Sequence, residues 1–191
     1  MWQKKWKIYI MLSFRENIPI ILKAVENINP KRVVDVGAGM GKYGLLIREQ
    51  YLSAKAEKGE LKPVDDIVIH AIEDTEYLLT DRLYAIYDLV IDRDVFKCGD
   101  IFEENHYDLA LLIDTIEHWG KEETLALLKR MNKQTGILIS TPKKTVMYEE
   151  HFYGDPRHHQ TQWEAEDITK EFPNAQVVAC ELSHIIYIPK L

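Results

Sequence analysis

The amino-acid sequence predicts an α/β fold: a doubly wound sheet of seven strands, mostly parallel, ending in a C-terminal antiparallel hairpin. Apolar runs without polar alternation recur along the chain, as in strands buried on both faces of a parallel sheet. Segments of helical periodicity fall between them. The last two runs are separated only by Leu182 and Ser183, too few residues for a parallel crossover, so they must form a hairpin.

Each element follows in order. Residues 1–30 read as an N-terminal helical segment with Trp2, Trp6, Tyr9 and Phe14 ahead of the first helix. Lys4, Lys5 and Lys7 before Ile8-Tyr-Ile-Met-Leu12 imitate the start of a signal peptide, but Ser13, Arg15, Glu16 and Asn17 follow without a small-residue cleavage site. The first strand is Arg32–Gly37, and the next helix carries Tyr43, Leu46, Ile47, Gln50 and Tyr51 on one face. Ser53–Asp66 reads as a polar loop and Ile67–Ile72 as the second strand. Tyr77–Tyr87 is compatible with a helix, with a short strand either at Leu89–Ile91 or closer to Val95. The fourth strand is Leu109–Asp114. After it comes a helix marked by Leu125, Leu128 and Met131, with Glu122 and Glu123 in its first turn and Lys129, Arg130 and Lys133 in its last. Gly136–Ser140 is the fifth strand, Trp163-Glu-Ala-Glu166-Asp167 opens a helix, and Gln176–Glu181 with His184–Pro189 make the hairpin.

At 191 residues the chain fits one domain, residues 31–191 forming its body. With 24 Lys and Arg against 31 Asp and Glu, the net charge is -7, the wrong sign for a sequence-independent grip on nucleic acid. Two cysteines, Cys98 and Cys180, make no disulfide framework or zinc site and read as small core residues in a reducing compartment. No run approaches the ~20 apolar residues of a membrane span. The expectation is a cytoplasmic protein with no membrane partner.

The strongest local signal is Val33-Val-Asp35-Val-Gly37-Ala38-Gly39-Met-Gly41-Lys42, a buried strand running into a glycine turn that opens a helix. Glycines let the backbone approach a ligand, and the helix N-terminus offers free N–H groups. A plain tight turn is the alternative. The dinucleotide fingerprint G-x-G-x-x-G would put its third glycine where Lys42 stands, and no G-K-[ST] follows for a P-loop. The next acid at a strand end, Glu73, lies 34 residues after Gly39, against about 20 in a dehydrogenase. No Tyr-x-x-x-Lys pair on a helix supports an NAD-dependent reductase.

This turn resembles motif I of the class I S-adenosylmethionine-dependent methyltransferases, and the likeness runs over most of the chain. The resemblance implies a Rossmann-like sheet with S-adenosylmethionine held at Gly37, Ala38, Gly39 and Gly41. Asp35 would orient the loop, and Asp114 would lie at the site. Ala71-Ile72-Glu73 matches the acid that holds the ribose hydroxyls, and Gly99-Asp100-Ile101-Phe102 matches the Asp–hydrophobe pair at the adenine. Glu73 and Asp100 could instead cap helices. Asp114-Thr-Ile-Glu117-His118 looks like the branch containing quinone-biosynthesis methyltransferases, and His159-x-Thr161-x-Trp163 resembles a His-x-Ser-x-Trp pattern of relatives. The resemblance also implies an N-terminal segment that covers the pocket, although an apolar helix there reads first as plain packing.

Methyl transfer is an in-line displacement that needs orientation first and a base only where the acceptor must lose a proton. His118, His151 and His159 are the candidate catalytic residues. They could also be structural, or join Asp114 and Glu117 around a metal, although no metal motif is present. The chain lacks the Asn/Asp-Pro-Pro-aromatic loop of amino methylation on bases and a cysteine nucleophile for carbon-5 methylation. With no room for a separate substrate domain in 191 residues, the expected acceptor is a small molecule ahead of the surface of something larger, with a non-catalytic scaffold of the same fold as the alternative. Oligomeric state is not readable.

Overall fold

The computed structural model describes residues 14–59, 67–143, 160–178 and 180–191. Helix α1 (Asn17–Ile28) precedes β1 (Arg32–Val36), α2 (Lys42–Glu57) and β2 (Val68–Ile72). Then come α3 (Asp81–Ile86), β3 (Leu89–Ile91), α4 (Gly99–Asn105), β4 (Leu109–Ile113), α5 (Lys121–Asn132) and β5 (Gly136–Pro142). Helix α6 (Ala165–Thr169) leads to β6 (Gln176–Val178) and β7 (Ser183–Ile188). These strands form one seven-stranded sheet in the order β3-β2-β1-β4-β5-β7-β6. The first five are parallel, and β7 runs antiparallel to both β5 and β6.

The unbroken apolar runs have the cause their composition implies. On one face Val34, Val36, Ala110, Leu112, Ile137 and Ile139 pack beneath Phe102, Leu127, Leu128, Met131 and Trp163. On the other, Val33, Ile69, Leu109, Leu111 and Leu138 pack beneath Ile21, Val25, Tyr43, Ile47 and Leu83. Alternate residues of each strand point to opposite faces, so a sheet covered on both sides takes apolar side chains at most positions of its strands.

Several boundaries differ from the sequence reading. Helix α2 runs through Ser53–Glu57, because Ala54, Lys55, Ala56 and Glu57 are strong helix formers despite their polarity, and Lys55 Nζ sits 4.9 Å from the Tyr51 ring centroid. Residues 60–66 of the expected loop lie outside the described part. The expected Tyr77–Tyr87 helix divides into a 3₁₀ turn at Glu76–Leu78 and the six-residue α3, separated by Thr80 in an extended conformation. Of the two places considered for the third strand, Leu89–Ile91 is the strand and Val95 lies in a 3₁₀ turn. The hairpin's first strand is shorter than expected, ending at Val178.

From β1 the chain crosses toward β2, and from β4 it crosses the other way toward β5. Between the carboxyl ends of β1 and β4 the connections diverge, leaving the crevice in which open α/β sheets bind ligands.

Candidate active site

The glycine turn follows β1 directly. Gly37, Gly39 and Gly41 have φ of 70°, 57° and 81°, in the left-handed region that favours glycine. A Cβ on Gly37 would stand 2.7 Å from Thr115 Cγ2, so Thr115, two residues beyond β4, packs against bare backbone. At Gly39 the nearest atom would be Gly37 O at 4.0 Å. The backbone there opens onto space, as close approach of a ligand requires.

Glu73, at the end of β2, is buried and faces this turn. Its Oε2 accepts from Gly39 N at 2.8 Å and its Oε1 from Thr75 N at 3.0 Å. Each oxygen has a second lone pair left to accept from a hydroxyl. Gly37, Glu73, Arg93, Asp94, Val95 and Trp119 are among the residues lining an open cleft at the strand ends. Asp94 sits just beyond β3 and its Oδ1 accepts from Phe96 N at 3.0 Å, opening the turn that buries Val95.

Beneath the turn, the Tyr87 hydroxyl donates to Asp35 Oδ2 at 2.6 Å. Burial pushes the Asp35 carboxyl up to about 6; the Tyr87 bond opposes the rise and the charge of Glu73 adds to it. Beyond β4, Asp114 adopts φ 51°, an uncommon conformation for a residue with a side chain. Its Oδ1 accepts from Ser140 Oγ at 2.8 Å, and Ser140 Oγ in turn accepts from Asn17 Nδ2 at 3.2 Å, tying α1 to the site. Burial raises Asp114 to about 6 against the Ser140 bond and the charge of Lys42. Glu117 is raised well above the ordinary range by burial and by Asp114, and accepts from Thr141 Oγ1 at 3.2 Å. The charge of Asp114 thus disfavours ionisation of the buried Glu117.

No protein-family model matches the sequence, and no curated protein matches it. Solved structures do. The methyltransferase domain of bacterial CtHen1 matches with a TM-score of 0.64 at 15% identity, over 91% of this chain and 97% of that one. Magnesium protoporphyrin IX methyltransferase from Synechocystis PCC 6803, with bound S-adenosylhomocysteine, matches with a TM-score of 0.60 at 15% identity, over 90% of this chain and 79% of that one. A S-adenosylmethionine-dependent methyltransferase from Archaeoglobus fulgidus matches with a TM-score of 0.57 at 17% identity, over 85% of this chain and 72% of that one. The chain has the class I methyltransferase fold.

Within this methyltransferase fold, Asp35, Gly37, Ala38, Gly39, Gly41 and Glu73 come together at the end of β1 and β2, and Asp114 lies beyond β4. Asp100 and Ile101 are placed differently from the expectation. Both fall in the first turn of α4, beyond the 3₁₀ turn that follows β3, and Asp100 is exposed and bonded to Arg93 Nη1 at 3.0 Å. The aspartate–hydrophobe pair on the cleft is Asp94-Val95. Gly99-Asp100-Ile101 carries the more recognisable pattern in the sequence, whereas the place of Asp94 on the cleft follows from β3 ending at Ile91.

His118 ends a 3₁₀ turn at Ile116–His118 and is half-buried. His151 and His159 lie outside the described residues, as do Trp2, Trp6 and Tyr9. Among the described residues no group of three His, Cys, Asp or Glu side chains could hold a metal ion, and no helix is long and apolar enough to cross a membrane. Lys42, which places its charge near Asp114, and Tyr87, which holds Asp35, are site residues that the motifs did not single out.

Proposed function

We propose that this protein is a S-adenosylmethionine-dependent methyltransferase acting on a small-molecule acceptor. The observation that carries the reading is the open glycine turn with the Glu73 carboxylate bonded to Gly39 N. An acid locked against the turn, with lone pairs to spare, suits the vicinal hydroxyls of a ribose. Val36, Ile72 and Val95 supply an apolar lining with Asp94 beside it, which suits a purine carrying an amino group. When bound, the cofactor supplies a methyl group activated on a sulfonium sulfur.

The chain's own residues would then orient and exclude water. Asp114, fixed by Ser140, and Lys42 define the edge of the site beyond β4 and β1. We assign the removal of a proton from an acceptor, where one must leave, to the imidazoles of His118, His151 and His159. The net charge of -7 favours a small acceptor over a nucleic acid.

Thermal unfolding with S-adenosylmethionine, S-adenosylhomocysteine and NAD tests the reading. A ligand at 100 times its Kd stabilises the fold by about 2.7 kcal/mol, worth several degrees for a chain of this size. Stabilisation by the adenosyl compounds but not NAD is the expected outcome. Stabilisation by NAD alone would overturn it, and tight cofactor binding without transfer to any acceptor would favour a scaffold.

A further inference from the structure

We infer that Trp119 is the aromatic wall of the nucleotide cleft, against which the purine of the bound cofactor stacks, and that Thr161 is its positioning residue; this rests on the cofactor reading above. Trp119 is half-buried and lines the cleft with Val36, Ile72 and Val95. A purine is the part of an adenosyl ligand with a flat π-face, and an indole is a good partner for it.

The wall is braced from two sides. The Phe96 ring meets Trp119 edge-on, with centroids 5.1 Å apart and planes at 72°. Phe96 directly follows Val95, so this brace is continuous with the cleft lining. From the other side comes the segment 160–163. A 3₁₀ turn leaves its last carbonyls without partners inside the turn. Here Gln160 N and Thr161 N donate to Glu117 O at 2.9 and 3.0 Å, and Trp163 Nε1 adds a bond of 3.1 Å to Ile116 O, which also accepts the turn's own bond from Trp119 N at 3.3 Å. The Thr161 hydroxyl donates to the carbonyl of Trp119 itself at 2.6 Å. The remaining donors hold the turn as a whole, whereas this hydroxyl fixes the residue that faces the cleft. The stretch after His159 is thereby coupled to nucleotide affinity without touching the nucleotide.

The test is a titration of the full chain with S-adenosylhomocysteine, followed by calorimetry and by tryptophan emission. Binding should quench wild-type emission. Trp119→Phe should still bind but lose most of that quench, and Trp119→Ala should raise Kd about tenfold, the usual scale of one base–aromatic stack. Thr161→Val should raise Kd roughly fivefold, as for one lost hydrogen bond, while Thr161→Ser restores affinity to about the wild-type value. Full quenching in Trp119→Phe, or an unchanged Kd in Trp119→Ala, would remove Trp119 from the wall. Equal affinities for Thr161→Val and wild type would remove Thr161 as its positioner. Wild-type protein that binds no S-adenosylhomocysteine by calorimetry would overturn the cofactor reading and this inference with it.

Discussion

Tyr87, just ahead of β3, donates its hydroxyl to Asp35 of β1 across 2.6 Å, joining two residues 52 positions apart beneath the glycine turn. The same ring would clash with any side chain at Gly44 and lies 3.4 Å from a Cβ placed on Gly41. Burial and the Asp35 charge hold the phenol far above its ordinary range, so it remains a donor at every working pH. The turn's geometry is therefore set from below by a residue that no glycine pattern reveals.

Tyr87→Phe keeps the ring and leaves Asp35 without its donor. Such a loss costs about 1–3 kcal/mol, or roughly 2–4 °C per kcal/mol for a chain of this length. The loss should be greater at pH 7, where Asp35 is charged, than at pH 5. Melting curves at the two values check this; equal midpoints for variant and wild type at both would show that the hydroxyl contributes nothing.

Asp35 and Asp114, both raised from 3.8 to about 6, give stability a definite pH dependence. Between those values the folded chain holds protons that the unfolded chain has released, so their contribution to stability falls as pH rises through about 6. His70 acts in the opposite sense. Burial and Arg32 lower its pKa, so its contribution is lost as pH falls below 6.5 toward its folded value. Asp35→Asn should therefore gain stability relative to wild type as pH rises from 4 to 7. Denaturant titrations at several pH values measure the gap, and a gap independent of pH would be inconsistent with a raised Asp35.

Asp94→Ala should weaken S-adenosylhomocysteine binding about tenfold or more by removing a cleft carboxylate, the worth of one charged hydrogen bond. Asp100→Ala should change the affinity less than Asp94→Ala, since the Asp100 carboxylate lies off the cleft lining and reaches it only through its bond to Arg93. Calorimetry on both variants discriminates, and the reverse ranking would return the adenine contact to the Gly99–Phe102 stretch.

Gly37→Ala and Gly39→Ala both force a side chain into left-handed backbone, at about 1–2 kcal/mol each. Only Gly37→Ala also drives its methyl into Thr115. It should lose several degrees more in midpoint than Gly39→Ala. Gly39→Leu should stay folded yet show no midpoint shift with S-adenosylhomocysteine. A ligand-induced shift surviving in Gly39→Leu would mean that the space above the turn is not the ligand's.

The sheet was legible because burial on both faces leaves uninterrupted runs such as Leu109–Ile113, and because a two-residue gap permits only a hairpin. The glycine turn and Glu73 were legible because each needs a particular residue type at a strand end. Asp94 was not, since its identification depends on where a three-residue strand stops, and propensity alone does not separate Leu89–Ile91 from Val95. The Tyr87–Asp35 bond and the Ser140–Asp114 bond are long-range pairings, 52 and 26 residues apart, and nothing local in the sequence announces either. Thr161 and Trp163 were noticed as a pattern, but their service to the carbonyls of Ile116, Glu117 and Trp119 emerges only from tertiary packing.

The position of β7 between β5 and β6 bears on synthesis. Strand β5, buried along its whole length, pairs on one side with β7, from Ile137↔Ile188 to Pro142↔Ser183. Until β7 has left the ribosome, that edge displays unsatisfied amides beside apolar side chains, a template for joining another chain. Strand β6 cannot fill the gap beforehand, because its own neighbour is β7. A product stopped before Ser183 would thus be a seed for aggregation as well as a shortened protein, and the nascent chain depends on β7 to seal this edge of β5.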